Sequence, residues 1–382
     1  MTQRKTNTSE IKKINRNVVF QYLYNHPRIT KQELAQGCEL SMPTVNMNLS
    51  ALTELDLLET TGVRDSTGGR KAKLLSVNPM AYYAIGANIT ANHISAVLLN
   101  LFGATIAHKR IRIPFQKSGD YMQTLANLIW GLVGECGIQK QRILGVGLSM
   151  PAIISQDGQK LAYASVLNFT NGRLQDFSAS IQLPCHFIND ATAGGYAELW
   201  HNPMFSQPGN AAAVVYLSLN NSVGGAFFLD GKEYAGTNQR SSEFGHMALH
   251  PDGGRTCYCG KTGCVDIYLS ALRLAGECDG NLASFFEQLQ RGVPEAVESW
   301  HAYRADLVRC VNNLRMAYDC LVILGGYVGE YLNPYLSELR MAAAALNTFE
   351  QDGSYLYVST DKLENSAVGA GLTWITDYIQ NI

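Results

Sequence analysis

The sequence predicts a mainly α-helical winged helix-turn-helix head followed by an α/β body of two related lobes. Three observations carry this. Two short capped helices joined by a tight turn precede two strand-like runs with a basic, glycine-rich tip between them, all within residues 1–79. A strand-rich pattern that starts near residue 83 recurs near residue 213. The charge is also split. Residues 1–74 hold 11 Lys+Arg against 7 Asp+Glu, a net of +4, and the rest holds 19 against 25, a net of −6, within a total of −2 over 382 residues. A basic head on an acidic body fits a nucleic-acid reader joined to a sensing or catalytic unit.

In the head, Ile11, Ile14, Val18 and Tyr22 recur at helical spacing, so residues 9–25 read as an amphipathic helix with this stripe inward. His26-Pro27 ends it. Thr30 with Glu33 forms a capping-box pattern for a second helix over 31–37, closed near Gly37. Ser41 caps a third helix with Pro43 in its first turn. Met42, Val45, Leu49 and Leu52 form its apolar stripe, and Thr44, Asn46, Met47 and Asn48 its opposite face. Residues 57–61 and 73–77 read as strands flanking a wing that carries Arg64, Arg70 and Lys71. Asn46 and Asn48 suit adenine edges in the major groove, and the wing cations suit phosphates or a narrow minor groove. Ser41, Pro43, Thr44, Asn46, Asn48, Arg64, Arg70 and Lys71 are therefore the expected contacts to double-stranded DNA.

In the body, residues 83–89 and 94–100 read as a hairpin, followed by a strand over 105–113, a helix over 118–136 and a buried strand over 143–148. The second copy starts with strands over 213–219 and 224–231. The expected domains are 1–79, a first lobe over 80–190 completed by a C-terminal helix at about 364–382, and a second lobe over 191–363. Leu372, Trp374, Ile375, Tyr378 and Ile379 give that last helix an apolar stripe, expected to pack on the first lobe.

Composition narrows the classes. Hydrophobic residues make up 46% and charged residues 16%, which fits a folded chain and not a disordered one. No apolar run reaches the ~18 residues of a transmembrane helix, and the polar N-terminus lacks a signal-peptide pattern. A cytoplasmic location is expected. Nine cysteines without an export signal argue against a disulfide framework.

Three constellations carry chemistry. His246 with Cys257-Tyr-Cys259-Gly-Lys-Thr-Gly-Cys264 offers an imidazole and three thiolates at spacing suited to tetrahedral Zn²⁺. Gly260 and Gly263 let so short a loop wrap a metal. Four protein ligands close the shell, so the ion is expected to be structural. His250 is a competing fourth ligand. In Phe187-Ile188-Asn189-Asp190-Ala191, an apolar strand delivers Asn-Asp to a helix start, where Asp190 can accept a proton, bind a sugar hydroxyl or simply cap the helix. Glu243 and His246 stand three apart in Ser242-Glu243-Phe244-Gly245-His246 and can face one cavity, with Glu243 suited to vicinal hydroxyls.

Together these motifs resemble the ROK family (repressors, open reading frames and sugar kinases), in particular its repressor branch of N-acetylglucosamine and xylose repressors. The segments that carry the resemblance are Leu40-Ser41-Met42-Pro43-Thr44-Val45, Gly69-Arg70-Lys71, Glu243-Phe244-Gly245-His246 and the Cys257–Cys264 run. The resemblance implies an actin-like, ribonuclease-H-like sugar-kinase fold, a sugar or sugar phosphate in the interlobe cleft, and a homodimer or homotetramer. Carried over residue by residue, Asn168, Asn189, Asp190, Glu243, His246 and Asp266 become the effector-binding set. Asp190 matches the kinase base, and Asp266 stands where the family has Glu.

The departures from the family pattern argue against an enzyme. Family kinases follow their first strand with Asp-x-Gly-Gly-Thr, whereas this chain has Asn88-Ile-Thr-Ala-Asn. A neutral amide is a poor Mg²⁺ partner, and side chains obstruct phosphate approach. The second phosphate loop reads Asn220-Asn221-Ser222-Val223-Gly224-Gly225 and lacks its first glycines. The expected function is a sugar-responsive repressor of carbohydrate-utilisation genes, with no catalytic residue and Asp190 as a vestigial base. The alternatives are an ATP-dependent sugar kinase with an accessory head, and a regulator controlled by a protein partner at the C-terminal helix.

Overall fold

The computed structural model describes residues 8–64, 72–169, 171–205, 213–359 and 364–382. Arg70 and Lys71 lie outside the described residues. The head contains α1 (Thr8–Asn25), α2 (Lys31–Gly37), α3 (Met42–Glu54) and an antiparallel pair, β1 (Leu58–Arg64) and β2 (Ala72–Val77). The capping box forms at α2: the Thr30 hydroxyl accepts from the Glu33 N–H at 3.3 Å, and Glu33 accepts from the Thr30 N–H at 2.9 Å. Ser41 caps α3 through the Thr44 N–H at 3.4 Å.

The buried faces differ from the expected ones in two places. On α1, Ile11, Ile14 and Val18 are exposed, and Val19, Phe20 and Leu23 enter the core. Both stripes are apolar, so periodicity alone does not choose between them; Val19, Phe20 and Leu23 are the ones that meet Val45, Leu49 and Leu52 of α3 and the body. On α3, Met42 is 41% exposed and Asn48 only 3%. The buried row is Val45, Asn48, Leu49 and Leu52, because the Asn48 side-chain N–H donates to the Thr44 carbonyl at 2.8 Å and satisfies itself within the helix.

The first lobe continues with β3 (Tyr83–Ile89), β4 (His93–Asn100), β5 (Thr105–Arg112), α4 (Gly119–Glu135), β6 (Ile143–Met150), a small sheet of β7 (Ile153–Ile154), β8 (Lys160–Tyr163) and β9 (Gly172–Arg173), then α5 (Leu174–Ile181), β10 (Cys185–Asn189) and α6 (Asp190–His201). The second contains β11 (Ala213–Leu219), β12 (Val223–Leu229), β13 (Lys232–Glu233), α7 (Val265–Leu269), α8 (Ala271–Ala275), α9 (Leu282–Gln290), α10 (Pro294–Tyr318), β14 (Leu321–Gly325), α11 (Gly326–Gly329), α12 (Leu336–Leu346) and β15 (Leu356–Val358), and α13 (Asn365–Asn381) returns to the first lobe.

The two main sheets have the same topology, β5-β4-β3-β6-β10 and β13-β12-β11-β14-β15. In each, the first three strands are antiparallel and the last two join in parallel. This is the internal repeat the sequence predicts. Helices α6 and α13 pack on each other between the sheets, α13 against β3, β4 and β6, and α6 against β11 and β12. Small residues allow this. A Cβ on Gly86 of β3 would sit 1.7 Å from the Ala367 carbonyl oxygen. The carboxyl ends of β3, β6, β10, β11 and β14 all point at the cleft between the lobes, where ligands of open α/β sheets bind.

The head is docked on the body. One buried cluster joins Phe20, Leu23 and Leu52 of the head to Leu99, Leu101, Leu372 and Ile375 of the body. The Tyr24 ring stacks on Phe102 at 4.4 Å, the Tyr24 hydroxyl donates to the Leu101 carbonyl at 3.1 Å, and Asn17 reaches the Gln380 carbonyl at the end of α13.

Candidate functional site

At the end of β10, Asn189 and not Asp190 caps α6. Its side-chain oxygen accepts from the Ala191 and Thr192 N–H groups at 2.9 and 3.1 Å, and its amide donates to the Ala152 carbonyl at 3.2 Å. Those bonds fix the turn and leave the neighbouring Asp190 carboxylate at the floor of a cavity of about 510 Å³. Burial pushes Asp190 up to about 6, and the nearby Glu243 carboxylate adds to the rise against a bond from the Ala191 N–H. Glu243 is itself raised by burial, with His246 and Arg240 opposing. The cavity wall brings together Asn189, Asp190, Glu243 and His246, four of the six expected effector residues.

The other two lie elsewhere. Asn168 is exposed with φ +48°, at the tip of a turn tied by Ala164 and Phe169, a backbone position that Asn tolerates. Asp266 is buried behind the wall, where one carboxylate oxygen accepts from the Ser222 hydroxyl and the Val223 N–H, both at 2.7 Å. It braces the β11–β12 turn and does not line the cavity. The sequence reading missed Glu233, Gln239 and Arg240, which do line it. Desolvation at the cavity wall raises the Glu233 pKa, and its carboxylate accepts from the Thr192 hydroxyl at 2.7 Å. The signal available for it was its position just past the β12–β13 turn.

His246, Cys257, Cys259 and Cys264 present four ligand atoms that all lie within 4.8 Å of one another, so this group can hold a metal ion. The Cys259 and Cys264 sulfurs are 3.7 Å apart. A tetrahedral ion with bonds of about 2.3 Å to sulfur needs nearly that separation, so the donor set fits. His250 is not one of the four clustered ligands; its Nε2 pairs with Asp306 at 2.7 Å. The loop depends on Gly263, φ +78°, where a Cβ would sit 1.9 Å from the His250 carbonyl oxygen. His246 belongs both to this cluster and to the cavity wall, and Tyr258 reaches it at 3.4 Å.

A second cavity of about 410 Å³ adjoins the first at Pro151, Val166, Asp190 and Ser222. It includes Asn88 at the end of β3 and Gly326 and Tyr327 at the start of α11. A model of the ROK family matches residues 84–377. The chain belongs to the ROK family.

The chain is 25% identical over 261 residues to the xylose repressor of Bacillus spizizenii, covering 68% of this chain and 66% of that protein. It therefore spans just under two thirds of that relative's length. Among solved structures, a ROK family transcriptional regulator described as a homologue of the Escherichia coli MLC protein superposes with a TM-score of 0.76 at 18% identity, over 97% of both chains. A ROK glucokinase from Streptomyces griseus, solved with glucose and AMPPNP, superposes with a TM-score of 0.63 at 20% identity, over 76% of this chain and 98% of its own. These likenesses show that the body has the actin-like sugar-kinase fold of the family.

In the head, Ser41, Pro43 and Asn46 are exposed on α3 and Thr44 is half-buried, with Asn46 accepting from Lys31 Nζ at 2.9 Å. Asn48 is not on that face. Arg64 at the end of β1 is ion-paired with Glu33. No helix among the described residues is long and apolar enough to cross a membrane.

Proposed function

We propose that this ROK protein is a sugar-responsive, DNA-binding transcriptional regulator that represses carbohydrate-utilisation genes. The observation that carries the reading is one shared core. The head packs on α13, α13 packs on α6, and α6 begins at Asp190 in the cleft. A ligand held at Asn189, Asp190, Glu243 and His246 therefore touches α6, which packs against the helix on which the head rests. It regulates only if it binds one global state better than the other. In this reading the domains are a winged helix-turn-helix over 1–79, a first lobe over 80–190 completed by α13, and a second lobe over 191–363.

In this reading Ser41, Pro43, Thr44 and Asn46 meet operator DNA, and the wing residues Arg64, Arg70 and Lys71 meet its backbone. A homodimer or homotetramer places two α3 helices in successive major grooves. A structural Zn²⁺ held by His246, Cys257, Cys259 and Cys264 fixes the loop that presents His246 to the sugar. Phosphoryl transfer depends on positioning and neutralising a nucleotide. Here the Tyr327 N–H is already given to the Asn220 side-chain oxygen at 3.0 Å, and Asn88 stands where kinases have an acid. Both features favour a sensor over a kinase.

The test is fluorescence anisotropy with DNA from the protein's own promoter region, titrated with sugars at low salt. Sugar-dependent release is expected. Failure to bind that DNA at any salt concentration would overturn the regulator, and steady ADP release with a hexose would establish the kinase instead.

A further inference from the structure

The second cavity lies on the phosphate side of the fold, yet its lining does not suit phosphate. Among the described residues its lone Lys or Arg is Arg110, and Glu364 neutralises it at 3.1 Å. Burial, and then the neighbouring Arg110 and Arg112, hold His93 below the ordinary histidine pKa and so neutral. Asp190, Glu330 and Glu364 are the acidic side chains of the same lining. A polyphosphate placed there would meet, among the described residues, no Lys or Arg free of a carboxylate partner.

The remaining polar groups are amides and hydroxyls, among them Asn88, Asn92, Asn221 and Ser222. The side-chain oxygen of Asn88 is buried without a hydrogen-bond partner. A buried acceptor of this kind calls for a donor, and ionised phosphate has none to give. A sugar hydroxyl both donates and accepts. Each chamber alone has the size of a small-molecule site, roughly 300–1,000 Å³, and the two adjoin, sharing Pro151, Val166, Asp190 and Ser222 in their linings.

We propose that the effector is a neutral disaccharide, with one ring in the chamber of Glu243 and His246 and the other in the chamber of Asn88 and Asn92. This rests on the cleft being the effector site, and it names the class of sugar. The former nucleotide chamber has become a second sugar subsite.

The experiment is calorimetric titration of the full zinc-loaded chain with glucose, xylose and N-acetylglucosamine, and with maltose, cellobiose, gentiobiose and trehalose. At least one disaccharide is expected to bind about tenfold tighter than its component monosaccharide, without competition from AMPPNP. Asn92 is exposed, so Asn92→Trp can fill the chamber from its rim without disturbing the core. It should remove that tenfold advantage, and Asn88→Leu should reduce it. Monosaccharides binding as tightly as every disaccharide, or AMPPNP displacing the disaccharide, would overturn the proposal while leaving the sugar cleft standing. Binding of no sugar of either size would overturn the cleft reading itself, and this proposal with it.

Discussion

Gly369 of α13 lies directly against the Ala193 backbone of α6: a Cβ at position 369 would sit 1.7 Å from the Ala193 carbonyl oxygen. The two helices between the lobes thus meet backbone to backbone, with no side chain to cushion relative movement. Asn365 strengthens the contact, its amide donating to the buried Glu198 carboxylate at 3.0 Å.

Gly369→Ala should therefore destabilise the protein although alanine is the better helix former. The helix-propensity gain is at most about 1 kcal/mol. Overpacking against an immovable carbonyl costs about 1–3 kcal/mol or more. A lowered urea midpoint at unchanged slope is the expected result. A stabilised variant would show that the helices part easily.

Asp190→Asn should raise stability at neutral pH. The folded pKa of about 6 exceeds the ordinary value of 3.8, so the folded state binds more protons between these pH values. This group's contribution is fully present below about pH 4 and is lost as pH rises through 6. The amide has no such loss, and the gain at pH 7.5 should be about 1–3 kcal/mol. Urea unfolding of both proteins at pH 4.5 and 7.5 checks the sign: the difference should grow with pH. Sugar binding should weaken in the same variant.

Removing metal should affect the sugar cleft as well as stability, because His246 serves both. Metal analysis should find about one zinc per chain, and Cys257→Ser should abolish it. Chelation should lower the melting temperature and weaken sugar binding in the same titration. A chain that is metal-free as purified, with full sugar affinity, would remove the zinc site.

The two asparagines of α3 should behave oppositely. Asn46→Ala should weaken operator binding by about 1–3 kcal/mol at one base pair and leave stability unchanged. Asn48→Ala should lower stability and leave the base preference unaltered, since its amide is buried against Thr44. Anisotropy with base-substituted operators and thermal melts separate the two effects.

Much of the fold was legible because it rests on short-range rules. Thr30 with Glu33, and Ser41 with Thr44, are caps whose partners lie three residues away. Strand periodicity marked β3, β4, β6 and β11, and the glycines at 260 and 263 marked the tight loop of the three cysteines. What stayed hidden depends on atoms distant in sequence. The inward face of α1 is Val19, Phe20 and Leu23 because those side chains meet α3 and the body. Asp266 is drawn behind the cavity wall by Ser222 and Val223, 44 and 43 residues away. His250, whose Nε2 pairs with Asp306 56 residues away, stands outside the four-ligand cluster.

The sequence by itself determined the elements, their order, the duplicated lobe and the residue types able to bind metal, because caps, turns and periodicity act over a few residues. Only the tertiary structure decided which face of each helix is buried, which histidine joins the three cysteines, and that the head, α13 and α6 form one packed column ending at Asp190. Burial and side-chain direction are set by the neighbours that folding brings together.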